Sequence, residues 1–166
     1  MYSYITKELP EVMSNHFSTI IDASRCSIMG HSMGGHGALI CALRNPDRFR
    51  SVSAFAPICA PSQCPWGEQA FNAYLGPDKD AWKAYDATEL ARTYSGPDLN
   101  ILIDQGSDDK FLSSKQLLPQ TLLEAAASNS KLKINYREHE GYDHSYFFVS
   151  TFIEDHIRLH SEALSH

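Results

Sequence analysis

The 166-residue chain has no apolar run approaching the ~18 residues that a membrane-spanning helix needs; its best stretch, Ala38-Leu39-Ile40-Cys41-Ala42-Leu43, stops far short. It has no basic run either. Fourteen Lys and Arg against 20 Asp and Glu leave a net charge of −6, so phosphate backbones and anionic membrane surfaces are poor partners. No nucleic-acid role and no membrane role is expected. The beginning, Met1-Tyr2-Ser3-Tyr4-Ile5-Thr6-Lys7, lacks the charged start and apolar core of a secretory signal, and there is no Asn-x-Ser/Thr sequon. Four cysteines are too few for a disulfide scaffold, so the expected compartment is reducing, the cytoplasm. Cys26 and Cys41 lie among apolar neighbours and read as buried small hydrophobes. Cys59 and Cys64 flank a Pro-rich turn without the second Cys/His pair that a metal site wants, so no metal is expected there.

What is present is ordinary globular material, 43% hydrophobic and 20% charged, which excludes disordered and fibrous classes. Without repeats, low-complexity tracts or a linker, residues 1–166 read as one unit. Residues 3 to 17 carry a helical apolar stripe interrupted by Pro10. Four strand-length segments follow: Cys26 to Met29, Ser51 to Phe55, Ile101 to Ile103, and the alternating Leu132, Ile134 and Tyr136. Between them lie helical stretches: His36 to Leu43, several short ones from Glu68 to Tyr94, and Gln116 to Ala127. A last helix is expected from about Tyr146 to Leu159. Strands alternating with helices predict an α/β fold with a mainly parallel sheet, whose reactive groups gather at the carboxyl ends of the strands. The loops leaving those ends are Gly30 to Gly35, Asp104 to Lys110 and Glu140 to His144.

The first of these is Gly30-His31-Ser32-Met33-Gly34, a G-x-S-x-G directly after a strand and before a helix, the context of a nucleophile elbow. Glycines there remove side chains that would collide across the strained turn that pushes the serine hydroxyl outward. A tight glycine turn with an incidental serine is the other reading. A serine needs a base to take its proton and a third group to orient that base, in the order serine, acid, histidine in such folds. Asp108 and Asp109 supply candidate acids after the third strand, with turn capping as their alternative role. His144 supplies the base after the fourth, with a loop histidine satisfied by Asp143 as its alternative. His31 and His36 read as structural, and His156 and His160, four apart on the last helix, as a solvated pair.

The strings Gly30 to Ala38, Ser53-Ala54-Phe55-Ala56-Pro57-Ile58, Cys64-Pro65-Trp66-Gly67, Ala70-Phe71, Tyr74-Leu75-Gly76, Asp104-Gln105-Gly106 and Gly141-Tyr142-Asp143-His144-Ser145-Tyr146 make the comparison specific. From Tyr2 to about His156 the sequence resembles the esterase D / S-formylglutathione hydrolase family of α/β-hydrolases. The resemblance implies hydrolysis of S-formylglutathione to glutathione and formate in formaldehyde detoxification, with cleavage of simple esters beside it. It implies Ser32 as nucleophile, Asp109 as acid and His144 as base, with the backbone N–H of Met33 as one oxyanion donor and no metal or organic cofactor. The G-x-x-D spacing from Gly106 agrees with Asp109. Trp66 and Tyr142 are candidate substrate contacts, loop packing being the alternative for each, and Gln69 stands where members commonly carry Lys. A small-molecule thioester or ester is the implied partner, and a homodimer the implied assembly.

One departure shapes the expectation for this chain. The second oxyanion donor of the fold comes from a loop after an earlier strand, yet the 25 residues before Cys26 read as helix. The sequence is therefore expected to be the C-terminal portion of the α/β-hydrolase fold, without the N-terminal strands. Its first strand would lie open on one side, and the chain alone would be weakly active or non-catalytic and prone to associate. A general carboxylesterase is the remaining alternative.

Overall fold

The computed structural model describes residues 1–165. Four strands, β1 (Cys26–His31), β2 (Phe49–Phe55), β3 (Leu99–Gly106) and β4 (Leu132–His139), pair in the order of the sequence, every pair parallel. Each expected strand is present and longer than its apolar kernel. β3 runs through Asp104 and Gln105, which the sequence placed in the following loop, because Asp104 to Gly106 stay in register with Arg137 to His139 of β4. Parallel neighbours require crossovers, and the segments between strands supply them. These are α2 (Met33–Arg44), then α3 (Pro65–Leu75), α4 (Lys79–Trp82) and α5 (Ala87–Thr93), then α6 (Lys110–Ser113) and α7 (Pro119–Ala127). The helix expected from Gln116 begins at Pro119 instead. Leu118 is left-handed there (φ 51°), and proline suits the first helical position because its missing N–H had no partner to lose.

Alternation along β2 divides the interior. Val52 and Ala54 face a core built with Leu39, Ile40 and Leu43 of α2, Ala87 and Ala91 of α5, and Leu122, Ala125 and Ala126 of α7. Ser51, Ser53 and Phe55 face the opposite way, toward α8 (Tyr146–Ser165), whose Phe148 meets Phe55 edge-on at 5.7 Å between ring centroids. Helices on both faces of a parallel sheet make the α/β-hydrolase arrangement. At the beginning of the chain a π-helical turn (Tyr4–Glu8) leads into α1 (Leu9–Phe17), with Pro10 in its first turn. The segment is fastened by Arg44, whose guanidinium lies 4.2 Å from the Tyr2 ring centroid and 4.5 Å from that of Tyr85.

Three expectations from the sequence need correction. His156 and His160 are not a solvated pair: both are buried and bonded to serines of β2, with Ser53 Oγ 2.8 Å from His156 Nδ1 and 2.8 Å from His160 Nε2, and Ser51 Oγ 2.7 Å from His160 Nδ1. α8 also runs six residues past Leu159. Cys26 is only half-buried, its thiol donating to the Arg48 carbonyl, whereas Cys41, Cys59 and Cys64 are buried and all four are free thiols.

Candidate active site

Ser32 sits at the carboxyl end of β1, immediately before α2, at φ 58° and ψ −118°, a conformation that a non-glycine residue holds only when its surroundings dictate it. They do so through three backbone bonds: Ser32 N–H donates to Phe55 O (2.8 Å), and Ser32 O accepts from His36 N (3.0 Å) and Ile58 N (3.4 Å). Gly30 makes the turn possible, since a Cβ there would stand 2.2 Å from the carbonyl oxygen of Gly34. The expectation that both motif glycines avoid collisions holds for Gly30 alone. A Cβ on Gly34 meets nothing within 4 Å, and it is Gly35 that approaches Pro57, at 3.1 Å. Met33 is the first residue of α2, so its N–H is among those without an intrahelical partner; its side chain is 70% exposed.

The two other loops bring an acid to a base. Asp109, wholly buried, and His144 meet with Oδ2 2.6 Å from Nδ1. Asp108, the other candidate acid, is exposed and accepts only from the neighbouring Ser107 hydroxyl. Asp109 also caps α6, its Oδ1 accepting from Phe111 N (2.7 Å) and Leu112 N (3.4 Å), so the capping role and the pairing with histidine coexist in one side chain. Gln105, buried in β3, donates from Nε2 to Asp109 Oδ2 at 2.9 Å. Burial pushes the Asp109 carboxyl toward a higher pKa. Hydrogen bonds from His144, Gln105 and the Phe111 N–H outweigh it, and the net shift is downward. The loops are held together by a close approach: a Cβ on Gly106 would stand 2.2 Å from the Tyr142 carbonyl oxygen, and Asp108 N–H donates to that same oxygen.

His144 lies against the serine corner. Its ring centroid is 4.5 Å from that of His31, the residue before Ser32, while among the described residues the Ser32 hydroxyl makes no hydrogen bond. Among the described residues the His31 Nε2 is buried without a partner, and burial foremost, then the neighbouring His144, lowers its pKa. His36 is structural as read, its Nε2 2.7 Å from Tyr85 O. Trp66, 49% exposed, stacks on Phe111 (centroids 5.8 Å apart), which meets the His144 ring edge-on at 4.7 Å. Trp66 is therefore one aromatic ring away from His144. Tyr142 packs on Phe147 and Phe152 and belongs to the core under α8, the loop-packing alternative. Sequence reasoning assigned no role to Gln105 or Phe111, because a lone glutamine and a lone phenylalanine carry no spacing signal toward a histidine more than thirty residues away.

Comparison with known proteins extends the picture. The Esterase family model matches residues 1–159. S-formylglutathione hydrolases of Rattus norvegicus and Mus musculus are 61% and 59% identical over 165 residues, 99% of this chain and 57% of each relative. An S-formylglutathione hydrolase structure from Agrobacterium tumefaciens superposes with a TM-score of 0.90 at 51% identity, again over 99% of this chain and 57% of that one. The chain thus spans somewhat over half the length of the curated relatives it matches. A match along almost the whole chain, on a parallel sheet that ends in a serine corner, settles the kinship: the chain belongs to the Esterase family.

Proposed function

We propose that this chain carries the catalytic centre of an S-formylglutathione hydrolase, a serine thioester hydrolase. The observation that carries the reading is the 2.6 Å contact between a buried aspartate and a histidine that packs against a strained serine corner, three residues from three different strand ends. The relatives of known name and more than half identity support the thioester.

In this reading Asp109, kept ionised, holds the His144 proton on Nδ1 and leaves the Nε2 lone pair free. His144 takes the proton of Ser32 as Oγ attacks the thioester carbonyl, forming the C–O bond while the carbonyl electrons move to oxygen. The Met33 N–H receives that oxyanion. Collapse expels the thiol sulfur of glutathione, which takes the proton from His144. Water then attacks the formyl ester with His144 as base, releasing formate and restoring Ser32. Trp66 and Phe111 wall the base on one side and exclude water from it. A cytoplasmic setting and a homodimer belong to the same reading, the first supported by four free thiols.

The test is fluorophosphonate labelling followed by turnover. The wild-type chain takes the label and Ser32→Ala does not, and S-formylglutathione is hydrolysed in preference to aryl acetates. A folded chain that remains unlabelled sinks the reading. Labelling with preference for aryl acetates makes it a general carboxylesterase.

A further inference from the structure

The proposed triad leaves one buried polar group unexplained. Gln105 is fully buried on β3, and its amide has an unbalanced set of partners. Nε2 donates to Asp109 Oδ2 at 2.9 Å and to Gly106 O at 3.1 Å, while Oε1 is buried with no partner among the described residues. The orientation is fixed by chemistry: an ionised carboxylate and a carbonyl only accept, so the NH2 end must face them, and the oxygen end is left over. An unpaired buried carbonyl is unfavourable for folding, and an apolar side chain of the same size would avoid it. The amide is thus shaped for what its nitrogen does.

We infer that Gln105 is a positioning residue for the reaction, locking the carboxylate of Asp109 against His144; the inference rests on the triad proposed above. Oδ2 is the oxygen that meets His144 Nδ1, and Gln105 binds that same oxygen from the strand side. The α6 N–H groups of Phe111 and Leu112 hold the other oxygen. With both oxygens tethered, the carboxylate is held in place against the imidazole, and the donors favour its ionised form. The N–H of Gln105 also draws charge from Oδ2, the oxygen that faces His144 Nδ1.

Two variants test this in the intact chain, with the rate of Ser32 fluorophosphonate labelling read against pH. Gln105→Met keeps the volume and removes the donor: labelling at the plateau falls about 10-fold, and the lower limb of the labelling profile moves to higher pH. Gln105→Glu restores a donor only while the introduced carboxyl is protonated. Its labelling therefore passes through a maximum and declines at higher pH, where the wild type holds its plateau. A merely space-filling glutamine would change stability and leave both pH profiles alone. If the wild type labels and both variants follow its profile, Gln105 is filler and the triad stands. Should Gln105→Met not fold, the profile of the nearly isosteric Gln105→Glu decides alone. A folded wild type that never labels removes the triad, and this inference with it.

Discussion

A carboxylate serves an imidazole only while it is ionised and held still. Asp109 meets both conditions with N–H donors on both of its oxygens inside a dry pocket. Replacing it by asparagine keeps an acceptor oxygen for the α6 cap but turns an NH2 group toward His144 Nδ1, which forces the wrong tautomer. Asp109→Asn should lower the rate of Ser32 labelling by about 10³–10⁴-fold, whereas Asp108→Asn, exposed and off the network, should leave it unchanged. Equal losses from the two would show that the acid has been misassigned. The glycines of the corner differ as sharply. Gly30→Ala drives a Cβ into backbone and should abolish labelling and destabilise the fold; Gly34→Ala fills open space in a helix and should be neutral to stabilising by up to about 1 kcal/mol. Thermal melts of the two variants check this. Chain order and strand ends pointed to the corner, to the Asp108-Asp109 pair and to His144, but between the two aspartates only the family resemblance and the spacing from Gly106 chose. Gln105 was not, since its role exists only where a strand end and a loop meet in space.

Among the elements, α8 shows what a one-dimensional pattern conceals. Phe148, Phe152, His156 and His160 recur every four residues, a single stripe that turns inward; the two histidines masked it, because polarity suggested solvent. The polar partners lie on β2, where Ser51 and Ser53 alternate with the apolar Val52 and Ala54. With both imidazoles neutral, the hydrogen bonds admit one ordering of protons. Ser51 donates to His160 Nδ1, His160 Nε2–H to Ser53, Ser53 to His156 Nδ1, and His156 Nε2–H to Asp104 Oδ2 at 3.3 Å. Arg137 closes the chain with two bonds to Asp104, each 2.6 Å. Burial works against the Asp104 charge, yet His156 and Arg137 prevail and hold its pKa at about 2, below an ordinary value of 3.8. A depressed carboxyl contributes stability that is complete above its unfolded value and is lost as pH falls through the folded one. Asp104 should therefore contribute about 2 kcal/mol that disappears between about pH 4 and pH 2. His160, its pKa lowered by burial and then by His156, adds a loss of the same sign that begins as pH falls below about 6.5. Urea midpoints measured from pH 7 to pH 2 should fall through both windows, and Asp104→Asn should flatten the lower one. A wild-type midpoint constant down to pH 3 contradicts the His160 contribution, and unchanged acid sensitivity in Asp104→Asn contradicts the other.

At the scale of the whole molecule, the consequential feature is the side of the sheet that β1 occupies. Among the described residues β1 pairs with β2 alone, so one row of its backbone N–H and C=O groups faces outward. Apolar side chains stand on both sides of that row among polar ones. A groove of about 290 Å³ on the α1 side is lined by Ile5, Leu9, Met13, Ile21 and Ile28 together with Asp22, Arg25 and Arg48, and one of about 410 Å³ on the α8 side by Met29, Ile157 and Leu164 together with His160, Ser161 and Ser165. Natural edge strands are blunted by charge, proline or a covering element. Here Ile28 and Met29 stand at the edge instead, Met29 with 43% of its surface exposed. An unpaired strand flanked by such grooves offers both the hydrogen bonds and the buried area that strand addition exploits. The 166-residue chain on its own should therefore self-associate at micromolar concentration, within the range where such edges drive association. Met29→Lys, which places a charge beside the open row, should shift the population toward monomer without disturbing β2 to β4. Sedimentation velocity over a concentration series reads this directly, and amide exchange on β1 should slow in the associated species because its outward N–H groups become paired. A wild-type chain that sediments as a monomer throughout the series would show that α1 and the ends of the sheet shield β1 well enough. The chain would then be self-sufficient as a folding unit, and its catalytic competence would turn on the oxyanion site alone.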